Sequence, residues 1–429
     1  LLLGLLSDTD PTVQQSALQA AAAAQFPAAW PIVISALARA ETRSQATKTL
    51  LAGADSALPY LEAAFSDPSL DPQVGAGIST VLQRSGGLPA IAILEQHIQH
   101  PDCRLRNRVL AGLAHCGYQV RSDEQAVIAE KQLEKEAHEI AKIVAAQVDL
   151  GQESQLFLIS SMLQQTKRLH TDNIFFLLSF FSETEVILTA WEVLQSDRFD
   201  GQKKAYAIEA LDILLDQSHR KYLPFLQEWN AQQSFSALEK YFPQVLMGLE
   251  QRLTSLLTAA PEDSARRARI CAAYSLGLLG HKELADCILA TAVSFSDDPL
   301  LVETALYSLD QLEYPLDMIA TSKPVLASAI SFWQKRNWQE LTTLQKIEIL
   351  KRVKIFSHLP LEILERIAGL LVDTWLQTDA PLIHKGDPGD RLYIIVHGQL
   401  RVHIAYQIYD TLHPGEVVGE MTLLDGQPR

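Results

Sequence analysis

Apolar residues recur at helical spacing through most of this chain, and the spacing shortens to two beyond Thr374. Val13, Ala17, Ala21 and Ala24 form one stripe, and Leu301, Ala305, Leu309 and Leu312 another. Leu105, Val109 and Leu113 form a third. Ala268, Ala272, Leu276 and Leu279 form a fourth, closed by Gly280 as a C-cap. Three helix starts are written into the sequence as Asp10-Pro11-Thr12-Val13, Asp71-Pro72-Gln73-Val74 and Asp298-Pro299-Leu300-Leu301. In each, Asp caps the exposed N–H groups, Pro fits the first helical position, and an apolar residue opens the buried stripe. Starts near Val13, Ala46, Val74 and Leu105 recur about every 30 residues, and Ala268 and Val302 repeat the interval. That period, with two short helices per unit, predicts a helical solenoid whose core lies between neighbouring repeats. The pattern is regular over 1–117 and 200–315. Between them, over 118–200, enlarged repeats are expected, with Ser122 to Leu150 as one long charged helix and Asp172 to Gln195 as a more apolar pair.

Leu344 to Leu371 is again helical. Leu350, Val353, Phe356 and Leu359 repeat every three residues, and Pro360 starts a second helix with Leu361, Leu364, Ile367 and Leu371 inward. Past Thr374, Leu400, Val402 and Ile404 are predicted to face one way, with Arg401 and His403 toward water. Leu392 to Val396 is apolar at successive positions, as in a strand covered on both faces. Gly386, Gly389 and Gly398 punctuate the strands where a Cβ would hinder a turn. The expected fold is therefore mostly α: an α-α superhelix over 1–345, then a small α+β domain with an antiparallel β-roll over 346–429.

Length and composition are consistent with this division. A chain of 429 residues exceeds one ordinary core, and 48% hydrophobic with 20% charged residues is a globular balance. The longest apolar runs, such as Ile174 to Phe181, fall well short of the roughly 20 residues that span a bilayer. No basic-then-apolar leader opens the chain. It begins at Leu1 inside an apolar run, and both ends read as cut from a longer protein, with Arg429 the last residue. The net charge of -15 argues against nucleic acid as a partner.

Cys103, Cys116, Cys271 and Cys287 form no C-x-x-C and sit in helical patterns, so reduced thiols are expected rather than a disulfide or zinc site. His384, His397, His403 and His413 lie on different strands and turns without carboxylate-rich spacing, and His97 and His100 have no third ligand near in sequence, so no metal is expected. His115 and Cys116 are helix neighbours that point apart. No G-x-S-x-G, P-loop or HExxH is present, so neither an enzyme nor a catalytic residue is expected.

Two resemblances give these patterns a function. The D-x-x-V starts followed by small residues resemble HEAT repeats, especially the short kind in bacterial proteins. The string LIHKGDPGDRLYIIVHG from Leu382 to Gly398, with PGEVVGEMTLLDGQPR from Pro414 to Arg429, resembles the cyclic nucleotide-binding domain of bacterial catabolite activators and protein kinase A regulatory subunits. The helices before Thr374 resemble the lead-in to that domain's β-roll.

The resemblance implies a phosphate-binding cassette at Val418 to Leu424, with Gly419, Glu420, Met421, Thr422, Pro428 and Arg429 as ligand residues. Gly419 would let the backbone approach. Exposed N–H groups at a short helix start would hold the phosphate. Glu420 would accept from the ribose 2'-hydroxyl, and Arg429 would pair with the phosphate oxygens. Thr422 stands where the family often has Ala. The implied ligand is cAMP or cGMP, with cAMP favoured, and no cofactor.

The implied role is a cytoplasmic cyclic nucleotide-sensing regulatory module whose helical scaffold couples ligand binding to a protein partner or a covalently linked effector. Some bacterial proteins join both modules to a transporter resembling ATP/ADP carriers, which would tether the chain to a membrane. Two alternatives stay open: an interaction scaffold whose roll binds nothing, and a HEAT-like bilin lyase.

Overall fold

The computed structural model describes residues 1–429 except 197, 228–229, 260–262, 338–339, 388, 390, 405–406 and 420–429. Helices run from Leu2 to Ala368, and all strands among the described residues fall between Tyr393 and Val418. The protein is thus mostly α with a small β-containing C-terminal part. No helix among the described residues is long and apolar enough to cross a membrane.

The helix starts follow from their caps. The Asp10 carboxylate accepts from the Thr12 N–H at 2.8 Å, Asp71 from Gln73 at 2.6 Å and Asp298 from Leu301 at 3.2 Å. Asp102 caps the Cys103–His115 helix in the same way without a Pro, accepting from Leu105 at 2.7 Å. Ser122 caps the long Asp123–Leu150 helix.

The chain divides into two compact units. The first is built mainly from Leu1–Gly151 and Leu163–Met247. Within it the Pro11–Ala24 helix packs on Ala40–Gly53, that on Pro72–Ser85, and that on Cys103–His115. Leu18, Leu50, Ile78, Leu82, Val109 and Leu113 are buried between them. A Cβ on Gly53 would lie 2.3 Å from the fully buried Trp30 ring, so that helix can seat the indole only with Gly there. In the first stripe Ala24 is exposed, contrary to expectation. The buried set is Gln14, Ala17, Leu18 and Ala21, because the helix ends at Gln25 in a left-handed turn (φ 44°) before Ala24 can be covered.

In the long-helix region, Glu136 is fully buried within a polar cluster. Its Oε1 accepts from Arg106 Nε at 2.6 Å and Gln132 Nε2 at 2.5 Å, and its Oε2 lies 2.5 Å from His170 Nδ1. Burial raises its pKa, but His170, Arg106 and Asn173 outweigh that and hold the carboxyl down at about 2.

The second unit is mainly Gln152–Met162, Gly248–Pro261 and Ala265–Arg429. Here Pro299–Gln311 packs against Ala285–Ser294, Ala327–Lys335 and Thr343–Arg352, and the last packs on Leu361–Ala368. Leu301, Ala305, Leu309 and Leu312 are buried as expected. A Cβ on Gly277 would lie 2.8 Å from the Ser308 backbone, so a bare glycine permits that close approach. In the lead-in, Leu350 and Val353 are buried, whereas Phe356 and Leu359 are only half-buried in turns between the two helices.

Polar ties in both units join residues one repeat apart. Thr49 Oγ1 donates to Leu18 O across 31 positions, Gln96 to Glu62 across 34, Arg266 to Asp298 across 32, and Tyr314 to Asp286 across 28.

Four strands are found among the described residues: β1 (Tyr393–Ile394), β2 (Leu400–Ile404), β3 (Gln407–Leu412) and β4 (Val417–Val418). β1 pairs antiparallel with β4, and β2 with β3. The β2–β3 register shifts between Val402 and His403. Leu400 and Val402 both precede the shift, whose extra residue is Tyr409 on β3, so they share one face, half-buried at Leu400 and 36% exposed at Val402. In Leu392 to Val396 only Ile395 is buried and the others are half-buried, since β1 has two residues paired with β4.

Candidate functional site

The turns of the β-part are built from glycines and short polar clasps. At Gly386 the backbone takes φ +95°, and the turn is shut by His384 N–H donating to Asp387 Oδ2 at 2.7 Å while Asp387 N–H donates to His384 O at 3.1 Å. An added Cβ there would meet nothing within 4 Å, so glycine is needed for the left-handed backbone and not for space. Gly398, between β1 and β2, is the same at φ +81°. Gly389 is half-buried in no regular element.

A third clasp positions the end of the described chain. His413 N–H donates to Glu416 Oε2 at 2.6 Å, and Glu416 N–H returns to His413 O at 3.1 Å, around Gly415 at φ +93°. This turn is stitched to β1's neighbour Ile395: Gly415 N–H donates to Ile395 O at 2.8 Å, and Ile395 N–H to Glu416 O at 3.0 Å. Val417 and Val418 then pair with Ile394 and Tyr393. The sheet thus delivers Gly419 at φ +92°, where the chain turns out of the strand. That conformation costs an L-residue roughly 1–2 kcal/mol.

Of the ligand residues expected from sequence, Gly419 is placed by this geometry. Glu420, Met421, Thr422, Pro428 and Arg429 lie outside the described residues. The exposed pair Arg401–Asp379, at 2.6 Å, contributes little because water screens it. His384, His397, His403 and His413 are all exposed.

Three features were not anticipated. One is the His413–Glu416 clasp, whose signal was a Glu three residues after a His around Pro-Gly. Another is Arg266, whose guanidinium bonds Asp298 at 2.7 and 2.9 Å and Glu365 at 3.1 and 3.2 Å. Burial disfavours its charge, and the two carboxylates more than offset that. It joins the Asp263–Leu279 helix to the Leu361–Ala368 helix of the lead-in. Its signal was an Arg one repeat before a capping Asp. The last is the buried group around Glu136, whose members are also about one repeat apart.

Comparison with known proteins agrees with the β-part. Residues 374–429 match the family described as the cyclic nucleotide-binding domain. The match opens at Thr374, where the apolar spacing shortens. A cAMP-dependent protein kinase regulatory subunit of Dictyostelium discoideum is 33% identical over 90 residues, 19% of this chain and 28% of that protein. A cyclic nucleotide-gated potassium channel of Mesorhizobium japonicum is 31% identical over 94 residues, 22% of this chain and 23% of the channel. The chain thus spans about a quarter of the length of these curated relatives. With the clasped turns, the β1–β4 pairing and the left-handed Gly419 at its exit, the segment 374–429 is a cyclic nucleotide-binding domain.

Proposed function

We propose that this chain is a regulatory module that senses a cyclic nucleotide, with cAMP the favoured ligand, and passes the signal through its helices to an effector. The observation that carries the reading is the stitched segment Gly415 to Gly419, which leads directly into Glu420 and the residues up to Arg429. In this reading Gly419 opens the cassette to the phosphate and Glu420 accepts from the ribose 2'-hydroxyl. Met421 and Thr422 shape the cassette, Pro428 sets the backbone before the arginine, and Arg429 pairs with the phosphate.

The scaffold is a HEAT-like repeat array over 1–345, and the sensor occupies 346–429. Ties one repeat apart support the array. Coupling is supported by contacts of the lead-in. Arg266 bridges Asp298 to Glu365, Tyr274 Oη donates to Glu348 Oε2 at 2.9 Å, and Lys346 Nζ pairs with Asp373 Oδ1 at 3.2 Å, one residue before Thr374. A shift of the roll would therefore load the lead-in helices and, through Arg266, the last repeats. The effector is a protein partner or a linked domain, a membrane transporter among the architectures that fit, and the module works on the cytoplasmic side without catalysis of its own. Calorimetric titration of the native full-length protein with cAMP and cGMP tests the reading. Saturable binding of either supports it, and no binding of both overturns it.

A further inference from the structure

We propose that Cys103, Glu136 and His170 form a buried binding site for a divalent metal ion of the zinc class. The three residues all lie in the first unit, one each on the helices Cys103–His115, Asp123–Leu150 and Phe157–Ser179. All are buried, at 7%, 0% and 4% exposure. One ligand atom from each lies within 4.8 Å of the others. Cys103 Sγ is 3.7 Å from His170 Nδ1, which is 2.5 Å from Glu136 Oε2.

Zinc bond lengths place a tetrahedral sulfur–nitrogen pair about 3.6 Å apart and a nitrogen–oxygen pair about 3.3 Å apart. The sulfur–nitrogen gap already has that spacing. The nitrogen–oxygen gap, now closed by a hydrogen bond, would open by somewhat under 1 Å as the ion replaces the shared proton.

The surroundings are those of a supported ligand set. Glu136 Oε1 is occupied by Arg106 and Gln132, which fixes the carboxylate and leaves Oε2 to face the histidine. Asn173 Nδ2 lies 3.1 Å from Oε2 and 3.8 Å from Sγ, and its Oδ1 accepts from Asn107 at 2.9 Å. Asn173, anchored by Asn107, thus aims its amide N–H groups at two of the three ligand atoms and holds them in place. Sulfur with imidazole and one carboxylate selects zinc or cobalt over magnesium or calcium, which take oxygen donors. The exchange balances: His170 starts as an imidazolium paired with Glu136, one divalent ion enters, the imidazolium Nδ1 proton and the Cys103 thiol proton leave for solvent, and the net charge of the cluster is unchanged. The other group of ligating side chains among the described residues, Glu250, His281 and Glu283, holds no sulfur and two of its members are exposed.

The test is Co²⁺ added to the full chain after refolding in chelator. The expected result is one equivalent bound with a thiolate-to-cobalt charge-transfer band and tetrahedral d–d bands, all lost on adding one equivalent of Zn²⁺. Cys103→Ser should abolish the charge-transfer band, while Cys116→Ser keeps it. Circular dichroism checks that each variant is helical. If Cys103→Ser does not fold, the parent spectrum and its bound cobalt per chain decide alone. No charge-transfer band in the parent, or a band that survives in folded Cys103→Ser, overturns the site. Cobalt bound without that band lies away from Cys103 and equally overturns it.

Discussion

At the scale of single residues, function in the β-part rests on positions where one chemical group is indispensable. Arg429 and Glu420 are proposed to meet the charged and hydroxylated parts of the ligand. Losing a charge-assisted hydrogen bond costs about 1.5–3 kcal/mol, roughly ten- to a hundredfold in affinity. Arg429→Ala and Glu420→Ala should each weaken cyclic nucleotide binding by that factor in calorimetry of the full-length protein, and Glu420→Ala should discriminate less against a 2'-deoxy ligand. Parent-like affinity in both variants would remove them from the site.

Lys351 gives a residue-scale prediction about stability. It is 5% exposed, and its ammonium donates to Ser357 O at 2.8 Å. Burial lowers its pKa from 10.5 to about 8, with Cys271 pulling the other way. An amine with a depressed folded pKa sheds its proton first in the native state. Between about pH 8 and 10.5 the unfolded chain holds more protons, so this group's contribution to stability rises with pH across that window. Below it the buried charge carries its full penalty. Lys351→Met should therefore be more stable than the parent at pH 7, by about 1–2 kcal/mol after the lost hydrogen bond is subtracted. The gain should vanish toward pH 10.5. A pH-independent difference in denaturant melts would show that Lys351 is not the titrating group.

At the scale of elements, caps and clasps decide where helices and turns begin and which of them touch. Asp71→Ala should cost about 1 kcal/mol, since it orphans the Gln73 N–H in the first turn of the Pro72–Ser85 helix. Arg266 ties three elements at once. Its removal takes from Asp298 and Glu365 the guanidinium that both of them bond. A double-mutant cycle of Arg266→Met with Glu365→Gln should give a coupling of about 1 kcal/mol, and Arg266→Lys should not restore it because a single ammonium cannot bond both carboxylates along two edges. A coupling near zero would mean that solvent already screens the pair.

Much of this level was legible in the sequence. The Asp-Pro starts, the long helix after Ser122, and the strands beyond Thr374 all follow from local chemistry and periodicity. Ala24 departs from its stripe because the helix ends just after it in a left-handed turn at Gln25, which no residue type marks. The glycine turns at Gly386 and Gly398 could be read because left-handed backbone selects glycine. The Arg266 and Glu136 networks could not, because their members are a repeat apart and become neighbours only when helices stack.

At the scale of the whole molecule, the question is whether ligand binding at one end is felt by the helices before it. The acidic excess of the chain lies before Lys351, and at physiological ionic strength charges act over only about 8 Å, so a long-range field is a poor messenger. A mechanical route needs partly buried contacts between rigid elements, and the Arg266 bridge to the Leu361–Ala368 helix is such a contact. Saturating cAMP should change amide exchange in that helix and, through Arg266, in Asp263–Leu279. In Arg266→Ala the first change should persist and the second should shrink severalfold, with ligand affinity close to the parent's because Arg266 is far in sequence from the ligand residues. An unaltered response of Asp263–Leu279 in that variant would mean that the signal bypasses the bridge. No response in either helix of the parent, despite saturation, would mean that this sensor does not speak to its scaffold through the lead-in at all.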